Sequence, residues 1–561
     1  MNNILIGESD FKEIRKKKGY YVDKSLFVRE IIKCPHKVIL LPRPRRFGKT
    51  INISMLYHFF EKKGQDKSNL FDDLAINKTE EFKEHFSKYP VIFITFKDIK
   101  NQTFEASLTK IARLIHKVLQ QHSYLLNWEK LSLVASHLFK KILNQTAEIG
   151  DYEDSIQIIS EQLEIYHNRQ VVILIDEYDT PIHAGYTNNY YDDMISFMRN
   201  LLSGAFKDNS SLFKGVITGT LRISKESIFT GLNNIGVYTL LEENFNKCFG
   251  FTRDEVKIIL SDFDLSNYYD DILKWYDGYN FGDNTILNPW SVMNFIFDRK
   301  KQFKPHWLNT SSMEMIEEVV LGKPEEQKRI LRNELTDLIQ DGYIKKNIDE
   351  NIIMQDLYKK NNDVIWSFLL HSGYLKQIER IDNEFENIYK LQIPNMEVKI
   401  AYRKLIQKWF EETVNLEALQ SMLQSLKEGN ISLFEKHLKE ISLVIMSYHD
   451  FSNTPEKVYH ALVLGMLVWL SNDYDIRSNR ESGYGRFDIL FKPKNLNNQG
   501  IIIEFKRIDN DEDSEKILNS ALEQIHKKKY DVELKTAGVN HLLKIAVGFK
   551  GKEVHVKKAH D

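Results

Sequence analysis

Between Lys37 and Thr220 the chain alternates short, almost wholly apolar runs with longer segments whose apolar residues recur at helical spacing. The runs are "KVILL" (Lys37 to Leu41), "VIFITF" (Val91 to Phe96), "VVILID" (Val171 to Asp176) and "FKGVITGT" (Phe213 to Thr220). Rich in β-branched and aliphatic residues, they read as buried strands, and the segments between them read as helices. That order predicts an α/β sheet from Tyr20 to about Leu240. After Lys247 the texture turns helical and aromatic, with "DEVKIILSDF" and then "WYDGYNFGDNTILNPWSVMNFIF". Glycines, Asn288 and Pro289 there mark turns between short elements, as in a lid or small second domain.

From Glu314 to Glu440 amphipathic helical periodicity with many charges predominates, as in "EEQKRILRNELTDLIQ" and "AYRKLIQKWFEE", and predicts a helical connector. The last hundred or so residues change again. A helix from Pro455 is followed by "GRFDILFKP", "GIIIEFKRI", the helix "SEKILNSALEQIHKKKY" and the strand "HLLKIAVGFKG", a second α/β order. The expected domains are 1–245, 246–330, 331–440 and 441–561, with no internal repeat or low-complexity tract.

A chain of 561 residues is too long for one core, and a hydrophobic fraction of 42% fits packed structure rather than disorder. The net charge of −2 carries no chain-wide basic signature, so any nucleic-acid surface must be local. Cys34 and Cys248, far apart, fit neither a disulfide framework nor a zinc site and read as buried thiols in a reducing compartment. The opening "MNNILIGESDF" lacks a signal-peptide core. The longest apolar run, "VYHALVLGMLVWL" (Val458 to Leu470), falls short of the ~18 residues of a membrane span and reads as a buried helix. The expected location is the cytoplasm, without membrane contact.

Chemistry concentrates first in "RPRRFGKT", residues 43 to 50. Gly48, Lys49 and Thr50 supply the second half of a phosphate-binding loop: backbone N–H groups and a cation for phosphate oxygens, and a hydroxyl for Mg²⁺. The first glycine of that motif is replaced by Arg43, between Pro42 and Pro44. Proline pre-sets a tight turn but donates no N–H, so the cradle is expected mainly from Arg45 through Thr50. A strand before the loop and a helix after it stand in the required order. Arg45 and Arg46 read either as a phosphate clamp or as a solvated turn.

A second acidic strand completes this pattern. "VVILIDEYD" delivers Asp176 to a strand end, where it can hold Mg²⁺ through water, and Glu177 can polarise an attacking water. The fourth strand ends in "TGTLRIS". There Thr218 or Thr220 could orient the water, and Arg222 reads as a γ-phosphate ligand, as a surface arginine or as part of a structural ion pair.

Taken together, "YYVDKSLFVREII", "LLPRPRRFGKTINISML", "VILIDEYDTPI", "FKGVITGTLRISKESIFTGLNN" and "WYDGYNFG…ILNPWSVMNFI" resemble a bacterial AAA-ATPase-like family. Its members often end in a PD-(D/E)XK nuclease domain. The likeness spans most of residues 10 to 310, and it implies that "RPRRFGK" followed by Thr is a working, atypical phosphate loop.

The resemblance also implies a nuclease at the C-terminus, where the residues fit. "GRFDILF" heads a strand with Asp488, and "IIIEFKR" places Glu504 and Lys506 two residues apart, on one face of a strand, with Phe505 on the other. Asp488 and Glu504 are candidate metal ligands and Lys506 a water-orienting or transition-state cation. Glu456, behind Thr454 and Pro455, is similar to the family's helical acid. Gln524 and Tyr530 are similar to its glutamine–tyrosine helix. Lys527 to Lys529 could touch phosphates or line a solvated helix face.

The fold expected is therefore a P-loop NTPase domain with helical lid and connector, followed by a restriction-endonuclease-like α/β domain. The expected cofactors are ATP and Mg²⁺, with Mn²⁺ an option at the nuclease site. Partners would be ATP and nucleic acid, DNA ahead of RNA, with homo-oligomer formation open. A genome-defence role rests on analogy alone. Two other readings stay open: an ATP-regulated protein that binds nucleic acid without cutting it, and an ATP-switched protein scaffold.

Overall fold

The computed structural model describes residues 3–62, 68–222, 234–307, 342–350, 363–382, 387–413, 416–447, 473–480, 487–509, 511–527, 530–550 and 553–559, and a few isolated positions between them. The chain forms two compact units. One comprises Met1–Lys328 with Tyr343–Val398, the other Arg329–Gly342 with Lys399–Asp561.

In the first unit the four apolar runs are strands: β1 (Val38–Pro42), β2 (Val91–Thr95), β3 (Val171–Asp176) and β4 (Leu212–Gly219). A short β5 (Ile235–Val237) completes a parallel sheet of order β2-β3-β4-β1-β5. Every residue of β1 and β3 is buried, which is why these strands read as continuous apolar runs rather than alternating ones. Because the strands are parallel, their C-terminal ends share one edge. Register pairs Thr95 with Asp176, and Pro42 with Gly219. That edge is where ligands bind in open α/β sheets. The helix Lys49–Phe60 starts there, directly after the "RPRRFG" turn, and packs on β2, β3 and β4.

Beyond the sheet, residues 251–297 build a small layer of their own. β6 (Phe251–Thr252), β7 (Tyr279–Phe281) and β8 (Asn284–Leu287) form an antiparallel sheet of order β6-β8-β7. Helices Arg253–Asp262, Tyr269–Tyr276 and Pro289–Phe297 accompany it, around a core that includes Val256, Ile259, Leu260, Ile272 and Phe295. Two of these helices start where local chemistry dictates. Thr252 and Glu255 form a reciprocal capping box, and Asn288 caps a helix whose first residue is Pro289.

The segment expected to be a helical connector departs from that reading. It contains β9 (Ile344–Asn347), β10 (Lys376–Asp382) and β11 (Asn387–Gln392), an antiparallel sheet of order β10-β11-β9. "NIYKLQ" has a period of two, with Tyr389 and Leu391 buried on one face. Such short strands are easily masked by the helical texture around them. The helix Met396–Thr413 does follow the expectation. Of "EEQKRILRNELTDLIQ" only Gln327, Ile330, Leu331, Glu334, Leu335 and Leu338 are described, all of them helical, and the helix expected from Pro455 and nearly all of Val458 to Leu470 lie outside the described residues.

The second unit carries a mixed sheet of order β12-β13-β14-β15-β16: Tyr474–Arg480, Phe487–Pro493, Gly500–Arg507, Leu542–Lys550 and Glu553–Lys558. Only β14 and β15 run parallel. The helix Ser514–Lys527 connects them and buries Leu518, Ala521, Leu522 and Ile525 against Leu490, Ile502 and Ala546. Among the described residues no helix is long and apolar enough to cross a membrane.

Candidate functional site

The loop between β1 and the helix Lys49–Phe60 shows how the sequence does without the first glycine of its motif. The left-handed conformations fall at Arg46 (φ 66°) and Gly48 (φ 88°), not at position 43. At Gly48 the left-handed backbone, rather than crowding, calls for glycine, since an added Cβ would meet only Ile51 Cγ2 at 3.6 Å. Arg43 is wholly buried and turned away from the loop. Its guanidinium donates to the carbonyls of Pro42 (2.8 Å), Tyr238 (2.7 Å) and Phe245 (3.4 Å). It also lies 5.3 Å from the ring centroids of Phe249 and Phe281. Burial lowers its pKa to about 10. Arg43 thus ties the end of β1 to the segment from Tyr238 to Phe249, with Phe281 of the small layer against it.

Lys49 is buried and donates to the carbonyls of Arg43 (3.0 Å) and Pro44 (3.1 Å), with Glu177 Oε1 at 3.6 Å. Thr50 Oγ1 donates to Asp176 Oδ2 at 2.9 Å. Thr218 Oγ1 donates to the other carboxylate oxygen at 2.7 Å, and Thr95 Oγ1 lies 3.4 Å from Oδ2. Three neighbouring elements therefore satisfy one buried acid, as a carboxylate out of water requires. Burial, and next the neighbouring Glu177, hold the Asp176 carboxyl above its ordinary range. Extra positive charge at this point would relieve that cost. Thr50 and Asp176 thus fit a divalent cation beside the loop.

Glu177 has a left-handed backbone (φ 55°), rare for a residue with a Cβ and concentrated at functional turns. Its Oε2 lies 3.4 Å from Thr180 Oγ1. Of the two threonines proposed to orient water, Thr218 contacts Asp176. The hydroxyl of Thr220 is buried without a hydrogen-bond partner among the described residues. Arg222 is not among the residues lining the loop's cavity; its charge adds to burial in lowering the pKa of His371 to about 4.

Sequence reasoning missed Asp179, the last residue of "DEYD". Buried, it accepts the backbone N–H groups of Thr220 (2.8 Å) and Leu221 (3.1 Å), so it anchors the turn after β4. Gly219 makes room for it, since a Cβ there would come within 2.7 Å of Asp179 Oδ1 and the Tyr178 ring. The spacing from Asp176 to Asp179 was the available signal.

A cavity of about 660 Å³ opens over the loop. Residues Arg45 to Asn52 form its floor, with Glu177, Thr180, Lys97 and Lys100 at its polar end. Its apolar wall includes Ile4, Ile6, Tyr20, Phe251, Trp290 and Met293. Arg46 is half-buried. It stacks on Trp290, 4.5 Å from the ring centroid, and donates to the His306 carbonyl at 2.7 Å.

In the second unit, Asp488 and Glu504 are register partners across the antiparallel pair β13 and β14, which puts both positions on one face of the sheet. The Asp488 side chain, Glu456, Lys528 and Lys529 lie outside the described residues, and so does the Tyr530 side chain. Glu504 is fully buried, and Lys506 Nζ bridges its Oε1 (2.8 Å) and Gln524 Oε1 (2.6 Å). Phe505 packs on the opposite side, stacked on Phe549 at 6.2 Å. Glu504 Oε2 is buried without a hydrogen-bond partner among the described residues, a vacancy in its bonding that suits a cation. Lys527 is exposed. Among the described residues no three His, Cys, Asp or Glu side chains form a metal-binding group.

Residues 5–229 match the family model described as predicted AAA-ATPase, and residues 454–559 match the PD-(D/E)XK nuclease superfamily. The chain carries an AAA-ATPase-like domain and a C-terminal PD-(D/E)XK nuclease superfamily domain. A protein of Azotobacter chroococcum mcd 1, described as an uncharacterized protein in the vnfD 5' region, is 22% identical over 513 residues, covering 90% of this chain and 89% of the relative. The AAA-ATPase-like match ends at 229, so the 251–297 layer, with Phe251, Trp290 and Met293 of the cavity wall, lies beyond it.

Proposed function

We propose that the protein binds and hydrolyses ATP at the Lys49 loop and cleaves nucleic-acid phosphodiester bonds at the Asp488–Glu504–Lys506 face. The observation that carries the first half is the buried Asp176 carboxylate, held by Thr50 from the loop and Thr218 from β4. This brings the residue types of a nucleotide-hydrolysing centre together at the C-terminal sheet edge.

Thr50 and Asp176 would hold Mg²⁺, which would neutralise charge developing on the phosphates. Lys49, which donates to the loop's own carbonyls, is the cation for the β/γ oxygens. Arg45 and Arg46 border the phosphate end. Glu177, within reach of Lys49 and Thr180, takes the proton of the attacking water. Thr218 keeps Asp176 oriented. The apolar wall fits a base.

At the second site, Asp488 and Glu504 would hold a divalent cation, Mg²⁺ or Mn²⁺. Lys506, positioned by Gln524, orients the water or stabilises charge on the scissile phosphate. Glu456 is a further candidate ligand, DNA the favoured substrate over RNA, and genome defence a role by analogy. The deciding experiment incubates purified protein with labelled DNA and RNA, with and without Mg²⁺ and ATP. Metal-dependent cleavage supports the proposal, whereas binding without cleavage favours an ATP-regulated nucleic-acid binder.

A further inference from the structure

A buried acid far along the chain reaches the phosphate loop through a tryptophan. Glu397 is fully buried; its Oε1 accepts the Trp307 backbone N–H at 2.6 Å, and Ser291 Oγ donates to the carboxylate at 2.8 Å. Trp307, also buried, packs on Tyr374, with ring centroids 4.8 Å apart. Its indole Nε1 donates to the Arg45 carbonyl at 3.1 Å. The next carbonyl back, His306, receives Arg46 Nη1 at 2.7 Å and Trp290 Nε1 at 3.1 Å. Two consecutive residues of the loop are thus held by two consecutive residues of a remote segment, and Glu397 holds that segment.

We propose that Glu397 and Trp307 form a brace that positions the Arg45–Arg46 peptide for nucleotide, a role that rests on the ATP reading above. A trans peptide is planar, with its C=O and N–H pointing in opposite directions. Fixing the Arg45 carbonyl on the indole therefore fixes the direction of the Arg46 N–H, one of the donors expected in the phosphate cradle. Ordinary loops of this type obtain their shape from a glycine at the position Arg43 occupies. Here Arg43 anchors the base of the loop and the brace sets its middle. Both Glu397 and Trp307 are positioning residues, acting through the loop backbone rather than on phosphate.

The test measures MgATP affinity by calorimetry, together with steady-state kcat and KM, for wild type, Trp307→Phe, Glu397→Gln, Glu397→Ala and Lys49→Ala. Trp307→Phe keeps a six-membered aromatic ring against Tyr374 but removes the N–H together with the rest of the indole, so Kd and KM should rise at least about five-fold, the effect of one buried hydrogen bond, with kcat within about two-fold. Glu397→Gln keeps an acceptor for the Trp307 N–H and should bind within about two-fold of wild type, while Glu397→Ala should weaken binding by about ten-fold or more. Unchanged affinity in Trp307→Phe, where Lys49→Ala binds about ten-fold or more weakly, overturns the brace and leaves the ATP reading standing. If Glu397→Ala does not fold, Trp307→Phe and Glu397→Gln decide. Absence of ATP binding from the wild type overturns the ATP reading, and the brace with it.

Discussion

Thr50 Oγ1 donates to Asp176 Oδ2 across 126 residues of sequence, at 2.9 Å. The hydroxyl that would meet a cation and the acid that would hold it from beneath are therefore already in contact. Thr50→Val, which keeps the shape and removes the hydroxyl, should leave the fold intact and raise the Mg²⁺ concentration for half-maximal ATP turnover by about ten-fold, the worth of one charge-assisted contact. A magnesium titration of phosphate release reads this out, and an unchanged midpoint would remove Thr50 from the cation site.

Lys49 and Glu177 lie 3.6 Å apart yet should fail differently. Lys49→Ala removes the phosphate cation and should weaken ATP binding by about 10- to 100-fold. Glu177→Gln keeps shape and loses the base, so binding should persist while turnover drops by about 10² to 10⁴. Calorimetry and phosphate release separate the two. Equal turnover in Glu177→Gln and wild type would place the base elsewhere.

Arg43 is a prediction about stability. Arg43→Gly restores the ordinary glycine of the motif but strips the hydrogen-bond donor from the carbonyls of Tyr238 and Phe245. It should destabilise the first unit by roughly 3–5 kcal/mol, because buried carbonyls lose their donor and the missing side chain leaves a cavity, rather than improve nucleotide binding. Thermal unfolding with and without ATP measures this, and a glycine variant as stable as wild type would contradict the anchoring role.

The nuclease face should respond to its own residues. Lys506→Ala removes the partner of Glu504 Oε1, and Glu504→Gln removes the buried charge itself. Each should cut metal-dependent cleavage by about 10² or more while ATP turnover stays near wild type. Robust cleavage by either variant would refute the assignment. A loss of cleavage in Lys49→Ala as well would show that nucleotide binding governs the second unit.

Glu397 supplies a pH dependence. Burial raises its pKa to about 7, against the opposing pull of the Trp307 N–H, the Ser291 hydroxyl and Arg46; His306, Tyr276 and Tyr279 are the other titratable groups around it. A carboxyl with a raised folded-state pKa contributes stability that is fully present below its unfolded value and is lost as pH rises through the folded one. Relative to Glu397→Gln, the wild type should therefore lose on the order of 3 kcal/mol between about pH 4.5 and pH 8. Calorimetric transitions of the two proteins at pH 5.5 and 8 test it, and a difference that stays constant with pH would rule it out.

Much of this was legible in the chain itself. A strand buried on both faces must be apolar throughout, so the four runs from Lys37 to Thr220 disclosed the parallel sheet. The left-handed turn and the helix start required Gly48 beside Lys49 and Thr50. A period of two put Glu504 and Lys506 on one face, where they meet at 2.8 Å. These are local properties, set by backbone geometry within a few residues.

What depended on distant segments was not legible. Whether Arg43 was a defect or an anchor was decided by Tyr238, Phe245, Phe249 and Phe281. Glu397 carried no signal of its own in the sequence, and only folding buries it against Trp307. Local pattern sets period and burial, but the partner of a buried polar group is whichever segment the packing brings alongside.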